Sequence, residues 1–377
     1  MSSKNLTTLS TRVLAKFVGL QGPIRGRIAA PENPEQEKSI LDKILEGDTW
    51  VTPTGARVFE FLDENDTTCF AITAAFSDDS LAEIYQFSST CINTIEPCGA
   101  VFLFLCDVLK LKPIATLTPE LIDENIEAPA NDDDGVYLSV IKKHLEPITV
   151  FTVKSASSLL AESSPKYIAN YICTFSEQIT TSNKISDDAM IIIRGIFAKE
   201  KNWLFDENLF FAMNTPILKH AFLEVYRTLE FVFVLPRVIS LANILSGHGS
   251  TIKISKIDFA RLCNKELGWK RIERDSLEKI FTEFYSQSES SFTQAISHCS
   301  PLTNIALPSP NLTPEEKKKV DERLLSKFTE KYYKLRNQVV HQFWPDESHP
   351  CTDDDWRYLI TFTLECINYI YNKHLSK

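Results

Sequence analysis

Between Thr313 and Pro345 the sequence marks both ends of one long amphipathic helix. Thr313 suits the N-cap, Pro314 the first helical position, and Glu316 the third, from which its carboxylate reaches back to the cap backbone. Pro345 has no N–H to give a continuing helix, so the helix is expected to run to about Phe343. Leu325, Phe328, Tyr332, Leu335 and Val339 recur at three- and four-residue steps and form its core stripe. A second start follows at once. Thr352 with Asp353, Asp354 and Asp355 caps a last helix to about His374, with its acids in the first turn, where the helix dipole favours negative charge.

From about residue 204 the pattern is helical. Pro216 opens a helix expected to reach about Leu245, where Ser246-Gly247-His248-Gly249 stops it. Ser255–Leu267, Lys270–Gln287 and Ser291–His298 read as shorter helices, and residues 300–312 as a connector. The first half differs. Ala56–Leu62 and Thr68–Phe76 read as strands separated by the turn Asp63-Glu64-Asn65-Asp66, and Ala100–Cys106 and Ile148–Lys154 as further strands. The expected fold class is therefore α+β: a mixed α/β domain over residues 1–200, of unknown role but suited to sensing or regulation, then an all-α helical bundle over 205–377. A chain of 377 residues with 24 Phe supports two such cores, and only 11 Gly argue against a glycine-rich nucleotide-binding architecture. Charge is unevenly placed. Residues 1–200 hold 17 Lys and Arg against 28 Asp and Glu, whereas the remainder holds 23 against 22. An acidic first half is a poor dock for nucleic acid, so any such chemistry belongs to the second.

Near the end of the long helix stand Arg336, Asn337 and His341. Arginine is the side chain best shaped to grip a phosphate, and histidine is the one that exchanges a proton near neutral pH. Asn337 lies one turn before His341 on the same side. Such a trio suffices for metal-free RNA cleavage, in which the ribose 2′-hydroxyl attacks its own phosphodiester. A base takes the 2′-OH proton, an acid protonates the 5′-oxygen, and a cation stabilises the phosphate. Lys327, Lys331 and Lys334 lead along one helix face toward His341, with Lys317, Lys318 and Lys319 nearer the helix start, and the first three are candidate RNA contacts.

This stretch resembles the R-x-x-x-x-H motif of the HEPN superfamily, which includes toxin and antiviral ribonucleases. Tyr226-Arg227-x-x-Glu230-x-x-Phe233 is similar to the Y-R-x-x-E-x-x-F opening helix of several bacterial HEPN defence proteins. Tyr226 is at core spacing there, and Arg227 and Glu230 are placed to form an i, i+3 pair. The resemblance implies an endoribonuclease that needs no cofactor or metal and leaves a 2′,3′-cyclic phosphate, acting in antiviral defence, growth arrest or abortive infection. Arg336 and His341 lie about 140° apart on an ideal helix, and sites of this kind are commonly completed by a second subunit, so a homodimer is expected. The same resemblance allows two alternatives: a non-catalytic HEPN module that binds a nucleotide or a partner protein, and a toxin controlled by a separate antitoxin or trigger protein.

Other patterns carry less. His341, His349 and Cys351 lack a fourth zinc ligand, Gly247–Thr251 lacks the phosphate-loop lysine, and helix capping accounts for Asp353–Asp355. The nine cysteines form no C-x-x-C pair and read as buried free thiols in a reducing cytoplasm. The longest apolar run, Leu229–Leu245, is broken by Glu230, Pro236 and Arg237, and the N-terminus lacks an apolar signal region, so no membrane partner is expected.

Overall fold

In the computed structural model, two helices, α1 (Leu6–Leu14) and α2 (Pro34–Lys43), precede three strands joined as successive hairpins: β1 (Leu45–Val51), β2 (Arg57–Leu62) and β3 (Thr68–Ile72). The structure describes residues 4–16, 33–87, 91–114, 138–154, 165–177, 185–197, 206–233, 235, 238–239, 255, 257–258, 260–261, 273–340 and 351–375. The β2–β3 turn is built by Asp63, whose Oδ1 accepts the N–H groups of Asn65 at 2.8 Å and Thr67 at 2.9 Å, while Asp66 takes a positive φ of 57°. The β1–β2 turn uses Gly55 at φ 84°. Next come α3 (Asp78–Phe87), β4 (Ile92–Ile95), α4 (Gly99–Val108), α5 (Leu138–Lys142), β5 (Thr149–Val153) and α6 (Pro165–Cys173). The five strands form one antiparallel sheet in the order β1-β2-β3-β5-β4.

One strand expectation is overturned. Ala100–Cys106 lies in α4, not in a strand. Its seven apolar residues carry no period because all of them are buried, within a core shared with Leu9 and Val13 of α1, Leu41 of α2, and Phe59 and Phe61 of β2. Glu37 of α2 secures the helix start, accepting the Ala100 N–H at 2.9 Å. The expected strand Thr68–Phe76 ends earlier, at Ile72.

The chain divides into two units, Met1–Thr181 and Ser182–Lys377. The second contains α7 (Asp187–Phe197), α8 (Asp206–Asn214), α9 (Leu218–Phe231), α10 (Glu273–Tyr285), α11 (Glu289–His298), a single 3₁₀ turn at Ser300–Leu302, α12 (Pro314–Val340) and α13 (Asp353–His374). The stripe Leu325, Phe328, Tyr332, Leu335 and Val339 is buried as its spacing requires. Phe328 and Tyr332 meet Phe281 of α10 and Phe362 of α13, with ring centres 5.0–6.0 Å apart. α9 ends sooner than expected. Val232 and Phe233 close tighter bonds to the carbonyls of Leu229 and Glu230. Residues 240–250, which include the expected stop signal, and most of Ser255–Leu267 lie outside the described residues.

Both predicted caps form. The Thr313 N–H donates to Glu316 Oε2 at 3.0 Å, and the Glu316 N–H to Thr313 Oγ1 at 3.4 Å. At α13, Asp355 Oδ2 accepts the Thr352 N–H at 2.7 Å, and its Oδ1 accepts the Ser300 N–H at the same distance, pinning the 3₁₀ turn to the last helix. Burial works against the Asp355 charge, but the Thr352 and Ser300 donors outweigh it and hold the carboxyl below its ordinary range. Asp355→Ala is expected to lower stability by about 2 kcal/mol, the upper end for a lost cap. Because the folded value is depressed, this contribution is present above the unfolded value and fades as pH falls through the folded one. Urea melts of the two proteins at pH 7 and pH 3 check both statements. An unchanged midpoint at pH 7 refutes the first.

The eight described cysteines are free thiols. Among the described residues, no helix is long and apolar enough to cross a membrane.

Candidate functional site

One open cleft of about 470 Å³ lies between α9 and α12. Its α9 wall is the stripe His220, Leu223, Arg227 and Glu230, spaced so that four side chains share one side of the helix. Ten residues at 1.5 Å rise make this wall about 15 Å long. Arg336, Val339 and Val340 form the α12 wall. The other side of α9 anchors it. Tyr226 stacks on Tyr332 of α12, with ring centres 5.9 Å apart, and Phe222 packs against Trp356 of α13 at 5.2 Å.

Arg336 is the hub. Its Nη2 is ion-paired with Glu230 Oε1, its Nη1 donates to Asn337 Oδ1 at 3.0 Å, and Glu273 Oε2 of α10 lies 3.8 Å away. The guanidinium also sits over the Tyr226 ring, 5.2 Å from its centre. Glu273 in turn accepts the Tyr333 hydroxyl at 3.1 Å. All three charged side chains are about 15% exposed. Burial disfavours the Arg336 charge, but Glu230, Tyr226 and Glu273 overcome that and hold the guanidinium above its ordinary value. Burial also raises the Glu230 carboxyl, and Arg336 offsets this only in part. One cation thus stands between two carboxylates. Among the described residues, the Arg336 Nε and the Tyr226 hydroxyl have no hydrogen-bond partner, though both are buried.

The two stretches singled out in the sequence therefore meet: Tyr226 and Glu230 from one, Arg336 and Asn337 from the other. Their pairing differs from expectation. Arg227 does not bridge to Glu230 but turns back to Glu224, one turn earlier, at 2.6 Å, because Glu230 is taken by Arg336. His341 lies outside the described residues, as do His349 and Gly247–Thr251. The lysine stripe is not uniform. Lys327 and Lys334 are exposed, but Lys331 donates to the Pro301 carbonyl at 2.9 Å and to Asn304, which ties α12 to the 3₁₀ segment. None of the three lines the cleft.

Two participants were not anticipated. His220 stands seven residues before Arg227, a spacing that could have revealed it. Glu273 gives no signal in the sequence, since only the packing of α10 brings it to Arg336.

No family model, no curated protein and no solved structure matches this chain.

Proposed function

We propose that the second unit is a HEPN-type endoribonuclease module that cleaves RNA without a metal. The observation that carries the reading is that Tyr226 and Glu230 of one helix meet Arg336 and Asn337 of another, more than a hundred residues away in sequence, and that Glu230 and Arg336 line one open cleft. His341 follows Val340, which lines that cleft. In the proposed reaction His341 accepts the 2′-OH proton and the 2′-oxygen attacks phosphorus. The P–O5′ bond breaks and the 5′-oxygen takes up a proton, leaving a 2′,3′-cyclic phosphate and a 5′-hydroxyl. Arg336, aimed and charged by its carboxylate partners, stabilises the charge that builds on the phosphate in the transition state. The active form is proposed to be a two-fold homodimer, and the biological role to be growth arrest in defence against infection.

A second reading draws on the pairing of Arg336 with both Glu230 and Glu273. An arginine so committed also suits a purely structural pair, and the unit would then be a non-catalytic module that binds a nucleotide or a partner.

Purified protein incubated with 5′-labelled RNA separates the two. The nuclease reading expects fragments whose 3′ ends resist alkaline phosphatase until acid opens the cyclic phosphate, with equal yield in excess chelator. Cutting abolished by chelator overturns the metal-free mechanism, and absence of cutting favours the second reading.

A further inference from the structure

The two arginines of the α9–α12 cleft are not equivalent. Arg336 is mostly buried and already faces Glu230, Glu273 and Asn337. Arg227 is half exposed, with 51% of its side chain open to solvent, and its ion pair with Glu224 is a surface contact within one helix. A guanidinium carries five N–H donors, so one carboxylate leaves Arg227 with donors for a second anion. The surroundings suit a nucleotide unit. Leu223 and the exposed Val340 opposite it offer apolar surface to a base or ribose, and His220 stands two turns from Arg227 on the same stripe. The lysines first expected to guide RNA stand outside this cleft, and one of them is engaged elsewhere.

We infer that Arg227 is the residue that grips the RNA phosphate on entry to the cleft, and that Glu224 restrains it in the unliganded protein. The inference rests on the reading of the cleft as an RNA site. It divides the work between the two arginines: Arg227 binds the phosphate in the ground state, and Arg336, held in place, acts on the transition state. Glu224 and the incoming phosphate then compete for one guanidinium.

The test uses the full-length protein and a short fluorescent RNA whose riboses are 2′-O-methylated, so that it binds but cannot be cut. Anisotropy titrations over a salt series give affinity and slope. Arg227→Gln is expected to weaken binding about tenfold, the scale of one charge-assisted contact. It should also flatten the slope of log affinity against log salt by about 0.7, the value for one phosphate on a single strand. Glu224→Gln is expected to tighten binding, because it releases Arg227, and misfolding cannot produce such a gain. Lys327→Gln with Lys334→Gln is expected to leave affinity and slope unchanged. Wild-type affinity in Arg227→Gln, no gain in Glu224→Gln, or a flattened slope in the lysine variant overturns the inference. A parallel cleavage assay on unmodified RNA keeps the two failures apart. If the wild type cuts but Arg227→Gln binds normally, the inference alone falls. If the wild type neither binds nor cuts, the RNA reading falls with it.

Discussion

Replacing His341 with alanine is expected to slow RNA cleavage by roughly 10²–10⁴-fold, the usual worth of a positioned proton-transfer group. RNA binding should be unchanged, since an imidazole that moves a proton in the transition state adds little to ground-state affinity. The argument rests on residue chemistry and neighbourhood. Arg336, five residues earlier, is fixed at the cleft by Glu230, and Val339 and Val340 line it immediately before the histidine. Among the described residues, His220 is the one histidine that lines this cleft, and it stands at the far end of the α9 wall from Glu230. Single-turnover rates on labelled RNA, with anisotropy on the 2′-O-methylated analogue, measure both effects. An alanine variant that cuts at the wild-type rate removes His341 from the mechanism. One that loses binding and cutting together makes it a binding group instead.

What the sequence revealed of this molecule was mainly local. The capping box expected at Thr313 and the cap expected at Thr352 both form, because each needs only residues three positions apart, and at Thr352 the cap also closes into a box with Asp355. The stripe from Leu325 to Val339 was legible because helical period and burial coincide there. Ala100–Cys106 was misread because an element buried on every side loses the period that would identify it. β1 escaped notice for the opposite reason. It is an exposed edge strand containing Gly47 and Asp48, with little apolar alternation to mark it. Gly47 is needed there, since a Cβ would stand 2.8 Å from the Glu60 carbonyl oxygen of β2. At the cleft, spacing allowed Arg227 to pair forward with Glu230 or back with Glu224. Arg336, 106 residues away, decides between them by taking Glu230. Side-chain pairing across helices is a tertiary property, and no window of local sequence contains it.

The same competition makes Arg336 the position where folding and chemistry are hardest to separate. Arg336→Met is expected to abolish cleavage, but it also strands Glu230 and Glu273 without their shared cation. Breaking a largely buried pair in this way costs about 3 kcal/mol. For a unit of this size that corresponds to a fall in Tm of about 10 °C. Loss of activity in that variant alone therefore cannot distinguish a catalytic arginine from a structural one. A double substitution can. In Glu230→Met with Arg336→Met, one of the stranded carboxylates is replaced by an apolar side chain of similar length, and burial already works against the Glu230 charge. Swapping a buried pair for well-packed apolar groups is often neutral, so the double variant is expected to recover most of the lost stability. If Arg336 stabilises the transition state, the recovered protein stays inactive, with RNA binding kept through Arg227. Thermal melts, anisotropy and single-turnover cleavage on the wild type, the single and the double variant resolve the question. A double variant that is stable and cuts RNA at the wild-type rate makes Arg336 a structural residue and moves the catalytic charge elsewhere in the cleft.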